Sequence, residues 1–104
     1  MTDALIVFST CADEAEAARI ANALVEGRLA ACVNVFPAVQ SIYRWQGAIE
    51  QAREILLAIK TTRERFEAVR ETISALHSYD TPEIVAVPVV VGSEKYLTWL
   101  TAQL

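Results

Sequence analysis

The hydrophobic positions of this 104-residue chain switch repeatedly between strand-like runs and helical spacing. Leu5-Ile6-Val7-Phe8 is a β-branched and aromatic run, which predicts a short buried first strand with Ser9 to Ala12 as the turn after it. Ala17, Ile20, Ala21, Leu24 and Val25 then recur on one helical face. Asp13 with Glu16 three residues later resembles a capping box at the start of that helix. Glu14 and Glu16 suit the positive end of its dipole, and Gly27 supplies a stop. A second strand runs from Ala30 to Phe36 and resumes from Val39 to Gln46, so a long strand with a bulge or kink at Pro37 is expected. Gly47 reverses the chain, and Ile49 to Lys60 return as a third strand. Thr61 and Glu64 offer a second capping box, ahead of an apolar stripe of Phe66, Val69, Ile73 and Leu76. His77 to Glu83 form a polar loop. Ile84 to Val91 read as a fourth strand, in which Pro88 argues for a sheet edge or a bulge. Gly92-Ser93 open a last helix with Tyr96, Leu97 and Leu100 on one side.

The order β-α-β-β-α-β, then a helix, predicts an α+β fold: a ferredoxin-like βαββαβ sandwich with an extended hairpin and a C-terminal helix. Two helices cover one face of its sheet. The other face is bare unless something covers it, and the last helix is too short to do so alone. A closed homo-oligomer is the simple solution. The hairpin strengthens this expectation. Tyr43 and Trp45 point one way along their strand, while Ile42, Arg44 and Gln46 point the other. Two large aromatics so far from a small subunit's own core suit packing against a partner subunit, with stacking on a planar ligand as the alternative.

Composition narrows the classes of function. The length fits one domain, residues 1–104. The net charge is −4, and the sequence holds no basic stretch, so neither nucleic acid nor an anionic membrane surface is an expected partner. The two cysteines, Cys11 and Cys32, have no zinc-site spacing and read as small buried thiols. The apolar run after the N-terminus stops at Phe8, too short for a signal peptide or a membrane span, which makes a cytoplasmic location the expectation. No GxSxG, Walker or GxGxxG motif is present, and no nucleophile and base stand at a supportive spacing, so a non-catalytic role is expected.

Polar candidates concentrate in one loop. His77 is the only histidine, and with Asp80 and Glu83 nearby it could hold a divalent ion. Alternatively, it caps the second helix. Glu83 could pair with Arg44 or Lys60 in a cleft between subunits and serve there as a binding or acid/base group, or the ion pair could simply fix the loop. Arg44, Lys60, Tyr79 and Glu83 are thus the candidate ligand cleft, and Tyr43 and Trp45 the candidate trimer interface.

Several segments together resemble the CutA family, the divalent-cation tolerance proteins. They are Thr10-Cys11-Ala12-Asp13-Glu14, Leu29 to Asn34, Ser41-Ile42-Tyr43-Arg44-Trp45-Gln46-Gly47, Ile59-Lys60-Thr61 and Pro82-Glu83-Ile84. The resemblance spans essentially the whole chain. It implies a ferredoxin-like subunit in a tight homotrimer, with hairpin strands paired between subunits, and a link to divalent metals, copper in particular. It also implies an architectural likeness to PII signalling proteins, hence a second expectation: a signalling or scaffold trimer that binds a small ligand or a partner protein at inter-subunit clefts. Metal ligands proposed in some members are a thiol near the end of the first strand and a histidine pair before the Tyr-x-x-Pro-Glu loop. Here the thiol position is Ser9, the pair is Leu76-His77, and Ala12 stands where many members carry proline. The resemblance therefore carries over only His77 as a metal ligand, with Glu83 as an accompanying carboxylate.

Overall fold

The computed structural model describes residues 2–104. Its elements are β1 (Ala4–Cys11), α1 (Glu14–Glu26), β2 (Cys32–Trp45), β3 (Ala48–Thr62), a 3-10 turn (Arg63–Arg65), α2 (Phe66–Leu76), β4 (Val85–Pro88) and α3 (Glu94–Ala102). The strands form one sheet in the order β2-β3-β1-β4, with every neighbouring pair antiparallel. This is the split βαβ arrangement, in which each helix connects two parallel strands that have a third strand between them.

One face of the sheet is dry. Val7, Cys11, Ile55, Leu57 and Ile59 pack against Ala17, Ile20 and Leu24 of α1 and Val69 and Ile73 of α2. The other face is covered at one end only, where Leu100 and Leu97 of α3 meet Ala4 and Ala31. Phe36, Val85 and Val87 stay exposed. Cross-strand pairs Phe8↔Val85 and Ile6↔Val87 place these valines beside β1 on that open face.

The hairpin of β2 and β3 gives the subunit its length, 44 Å against 25 and 23 Å in the other directions. Trp45 pairs with Ala48 across a two-residue turn, Gln46-Gly47, with φ of 50° and 83°. Positive φ at both positions is the twist-matched geometry of a tight hairpin turn, and glycine adopts it without strain. The expected irregularity at Pro37 is present as a register shift between Phe36 and Val39, with Ala38 at φ 58°.

Some boundaries differ from the sequence expectation. β1 runs on through Ser9, Thr10 and Cys11, which pair with Leu57, Leu56 and Ile55, so no turn begins at Ser9. The long β3 supplies a ladder partner that the local sequence does not announce. Asp13 does cap α1, accepting from the Glu16 N–H at 2.8 Å. Thr61 caps nothing: it is a fully buried residue of β3 whose hydroxyl donates to the Leu29 carbonyl at 2.6 Å. β4 ends at Pro88 on the sheet edge, where a missing N–H is tolerated, and one more bond follows, from the Val89 N–H to the Ala4 carbonyl at 3.0 Å. The chain then leaves the sheet, and Val90 and Val91 are exposed.

Candidate functional site

The end of the sheet that holds the C-terminus of β1 carries two adjoining features, a buried cluster and an open cavity. The cluster is Cys11, Glu16 and His77, whose ligand atoms lie within 4.8 Å of one another. Strand alternation turns Cys11 toward the helices. The Asp13 cap starts α1 so that Glu16 sits in its first turn, directly above the end of β1. Glu16 is only 4 % exposed. His77 follows α2 in extended conformation; its own N–H closes the helix on the Ile73 carbonyl at 2.9 Å, and its ring turns back to β1.

The ring's protonation follows from its neighbours. Nε2 lies 2.7 Å from the Thr10 carbonyl, which can only accept, so Nε2 carries a proton. Nδ1 accepts the Tyr79 N–H at 3.0 Å. Nδ1 is thus the accepting nitrogen of the ring in these contacts. Glu16 Oε1 nevertheless stands 3.2 Å from Nδ1, and it is buried with no hydrogen-bond partner. An acceptor facing an acceptor in a dry place needs a proton or a cation between them. Burial first, then the negative charges of Glu16 and Glu54, push the Cys11 thiol from 9.0 up to about 11. The thiol is therefore protonated at neutral pH, and a metal would have to displace that proton.

Thiolate, imidazole and carboxylate together suit a soft or borderline ion such as copper or zinc. The cluster thus fits a divalent cation on this structure's own terms: the donor types match, and the unpartnered Glu16 oxygen supplies charge where the ion would sit. Occupation would take Nδ1 away from the Tyr79 N–H, at a cost of ~1–3 kcal/mol.

The cavity has a volume of about 530 Å3 and lies on the other side of the Thr10–Tyr79 wall. Tyr43, Trp45 and Tyr79 supply aromatic surface, and Glu54 and Glu83 supply carboxylates. Glu54 is only 6 % exposed, and its Oε2 accepts the Tyr79 hydroxyl at 2.7 Å. The Tyr79 ring packs on His77 with centroids 4.7 Å apart, so one residue touches both features. Burial and the Glu54 carboxylate raise the Tyr79 pKa well above its ordinary value.

The residues singled out from sequence divide among several places. The pair expected to hold metal, His77 with Glu83, is split: His77 joins Cys11 and Glu16, while the exposed Glu83 lines the cavity. The His77 side chain does not cap α2 either, since it reaches β1. Of the expected cleft, Tyr79 and Glu83 come together, but Arg44 and Lys60 are not on the lining. Arg44 pairs with Ile49 in the hairpin. Lys60 lies between Ile6 and Cys32 toward the opposite end of β1, and donates to Asn34 Oδ1. Tyr43 and Trp45 are half-exposed and face the cavity of their own subunit. Cys32 is partly exposed, not buried as expected. Sequence reasoning passed over Glu16, Glu54 and Cys11. The usable signal for Glu54 was a single carboxylate opening an apolar strand, where only a paired charge is tolerated.

Residues 5–103 match the family model described as CutA1 divalent ion tolerance protein. The chain belongs to the CutA family. It is 50% identical over 95 residues to the divalent-cation tolerance protein CutA of Thermus thermophilus, covering 91% of this chain and 92% of that one. The crystal structure of CutA from Xylella fastidiosa superposes with a TM-score of 0.96 at 46% identity and 98% coverage of both chains. A structure titled the periplasmic divalent cation tolerance protein CutA from Archaeoglobus fulgidus gives 0.93 at 41%, covering 96% of this chain and 97% of that one. These CutA structures share the ferredoxin-like topology of the sheet described above.

Proposed function

We propose that the chain binds a divalent metal ion, copper among them, through Cys11, Glu16 and His77, and contributes in this way to metal tolerance as a cytoplasmic homotrimer. The observation that carries the metal reading is the buried Glu16 Oε1 without a partner, between an imidazole nitrogen and a thiol. The bound ion supplies a positive charge beside the buried Glu16 carboxylate. The residues hold it and exclude water.

Calorimetric titration of the purified protein with zinc, and with copper(II) anaerobically and without added reductant, tests this. The expected result is one ion per subunit in the wild type, with affinity falling at least ~10-fold in Cys11→Ser and in His77→Ala. Undiminished stoichiometric binding in the double variant would remove these residues from the site.

Two observations support a homotrimer: the apolar residues left open on the sheet, Phe36, Val85 and Val87, and the exposed hairpin residues Ile42 (66 %) and Ile49 (60 %). Light scattering is expected to give three times the 11.5 kDa subunit mass, and a monomer at micromolar concentration would refute it. The free thiols Cys11 and Cys32 support a reducing cytoplasm. Cell fractionation tests that location, and recovery in the periplasmic fraction would overturn it.

A further inference from the structure

We infer that the cavity beside Tyr79 binds a small organic cation, with an ammonium or guanidinium head. This differs from the metal site, and it keeps Tyr79 and Glu83 of the expected ligand cleft without Arg44 and Lys60. The charge on the lining decides the sign. Within one subunit, and among the described residues, it holds two carboxylates, Glu54 and Glu83, and no lysine, arginine or histidine. An anion entering would meet repulsion from both, while a cation is attracted to them and to a chain whose net charge is −4.

Geometry separates an organic cation from a bare metal ion. A cavity of about 530 Å3 is in the range of small-molecule sites and far exceeds what one ion fills. Glu54 and Glu83 belong to no group of three metal-capable side chains among the described residues. The rest of the wall is Tyr43, Trp45 and Tyr79, whose ring faces attract alkylated or delocalised cations and cover their carbon atoms. Glu54 sits deepest, held by the Tyr79 hydroxyl, and one of its oxygens is left for the ligand. Exposed Glu83 stands at the mouth, where it favours entry and can meet a second positive group. The cationic head goes to Glu54, and the aromatic rings enclose the stem.

The test uses the assembled protein carrying Trp99→Phe, so that Trp45 is the single tryptophan reporter. Spermidine and tetramethylammonium chloride are titrated at constant ionic strength, with neopentyl alcohol as the neutral isostere. The two cations separate a primary from a quaternary head. The expected result is a saturable change in Trp45 emission with at least one cation and none with the alcohol. Glu54→Gln should weaken binding roughly tenfold and Glu83→Gln about threefold. Glu83 is exposed and makes no hydrogen bond, so its variant folds and carries the test if Glu54→Gln does not. Cys11→Ser should bind the cations normally, so failure of the metal site and failure of this one are read separately. No saturation below about 10 mM, an equal response to the alcohol, or unchanged affinity in the folded charge variants would overturn the inference.

Discussion

Replacing Tyr79 by Phe removes a single oxygen from the junction of the cluster and the cavity, and the structure sets what that oxygen contributes. The Tyr79 hydroxyl donates to Glu54 Oε2 at 2.7 Å, and Glu54 is only 6 % exposed. A hydrogen bond to a charged acceptor contributes ~1.5–3 kcal/mol, and its loss leaves a carboxylate oxygen facing a ring edge. Tyr79 itself is 37 % exposed, so water can partly replace the hydroxyl, and the lower part of that range, about 2 kcal/mol, is the expected cost. Packing does not confound the number, because the phenyl ring keeps its contact with His77.

Urea unfolding followed by circular dichroism measures this cost at one fixed subunit concentration, since association would otherwise shift the midpoint. The midpoint should fall with the slope unchanged. Glu54→Gln provides the decisive control. In that background the acceptor is a neutral amide, and Tyr79→Phe should cost only ~0.5–1 kcal/mol. A Tyr79→Phe variant within ~0.5 kcal/mol of wild type would refute the reasoning. So would an equal cost in both backgrounds, which would place the effect outside the Tyr79–Glu54 bond.

Other perturbations test different parts of the structure. The Cys11 thiol is held up from 9.0 to about 11, so below pH 9 it is protonated in both the folded and the unfolded chain. Between pH 9 and 11 only the unfolded chain loses the proton, and metal-free wild type should lose up to ~3 kcal/mol relative to Cys11→Ala; a pH-independent difference between the two unfolding curves would contradict this. Gly47→Ala meets no atom within 4 Å but must hold φ +83°, so thermal melts should show a loss of about 1 kcal/mol with the fold intact. Thr61→Val strands the Leu29 carbonyl inside the protein and should cost ~1–3 kcal/mol in the same urea assay, whereas a capping role would predict a local change at the start of α2.

How much of this was legible in the chain depends on the range of the interactions involved. The hairpin turn, the bulge at Pro37, the Asp13 cap and the edge position of β4 follow from residues close in sequence, and local stereochemistry decides them. β1 was read too short because the apolar run ends at Phe8, and the pairing of polar Ser9 and Thr10 with Leu57 and Leu56 is supplied by a strand some fifty residues away. The site shows the same division more sharply. His77 could be singled out, being the sole histidine, but its partners could not, since Cys11 and Glu16 come from β1 and α1 and meet it only once α2 is laid across them. Glu16 illustrates why the sequence misleads there. In the first turn of a helix a glutamate is fully explained by the dipole, so nothing in the local pattern asks for a second explanation. Only burial raises that question, because a buried carboxylate oxygen that faces no donor calls for a proton or an ion. Arg44 and Lys60 were singled out for their charge as partners of Glu83 between subunits; within one subunit, strand pairing puts one in the hairpin and the other toward the far end of β1. What remains at the cavity is acid and aromatic, and its preference for positive charge is a property of the folded arrangement that no single segment encodes.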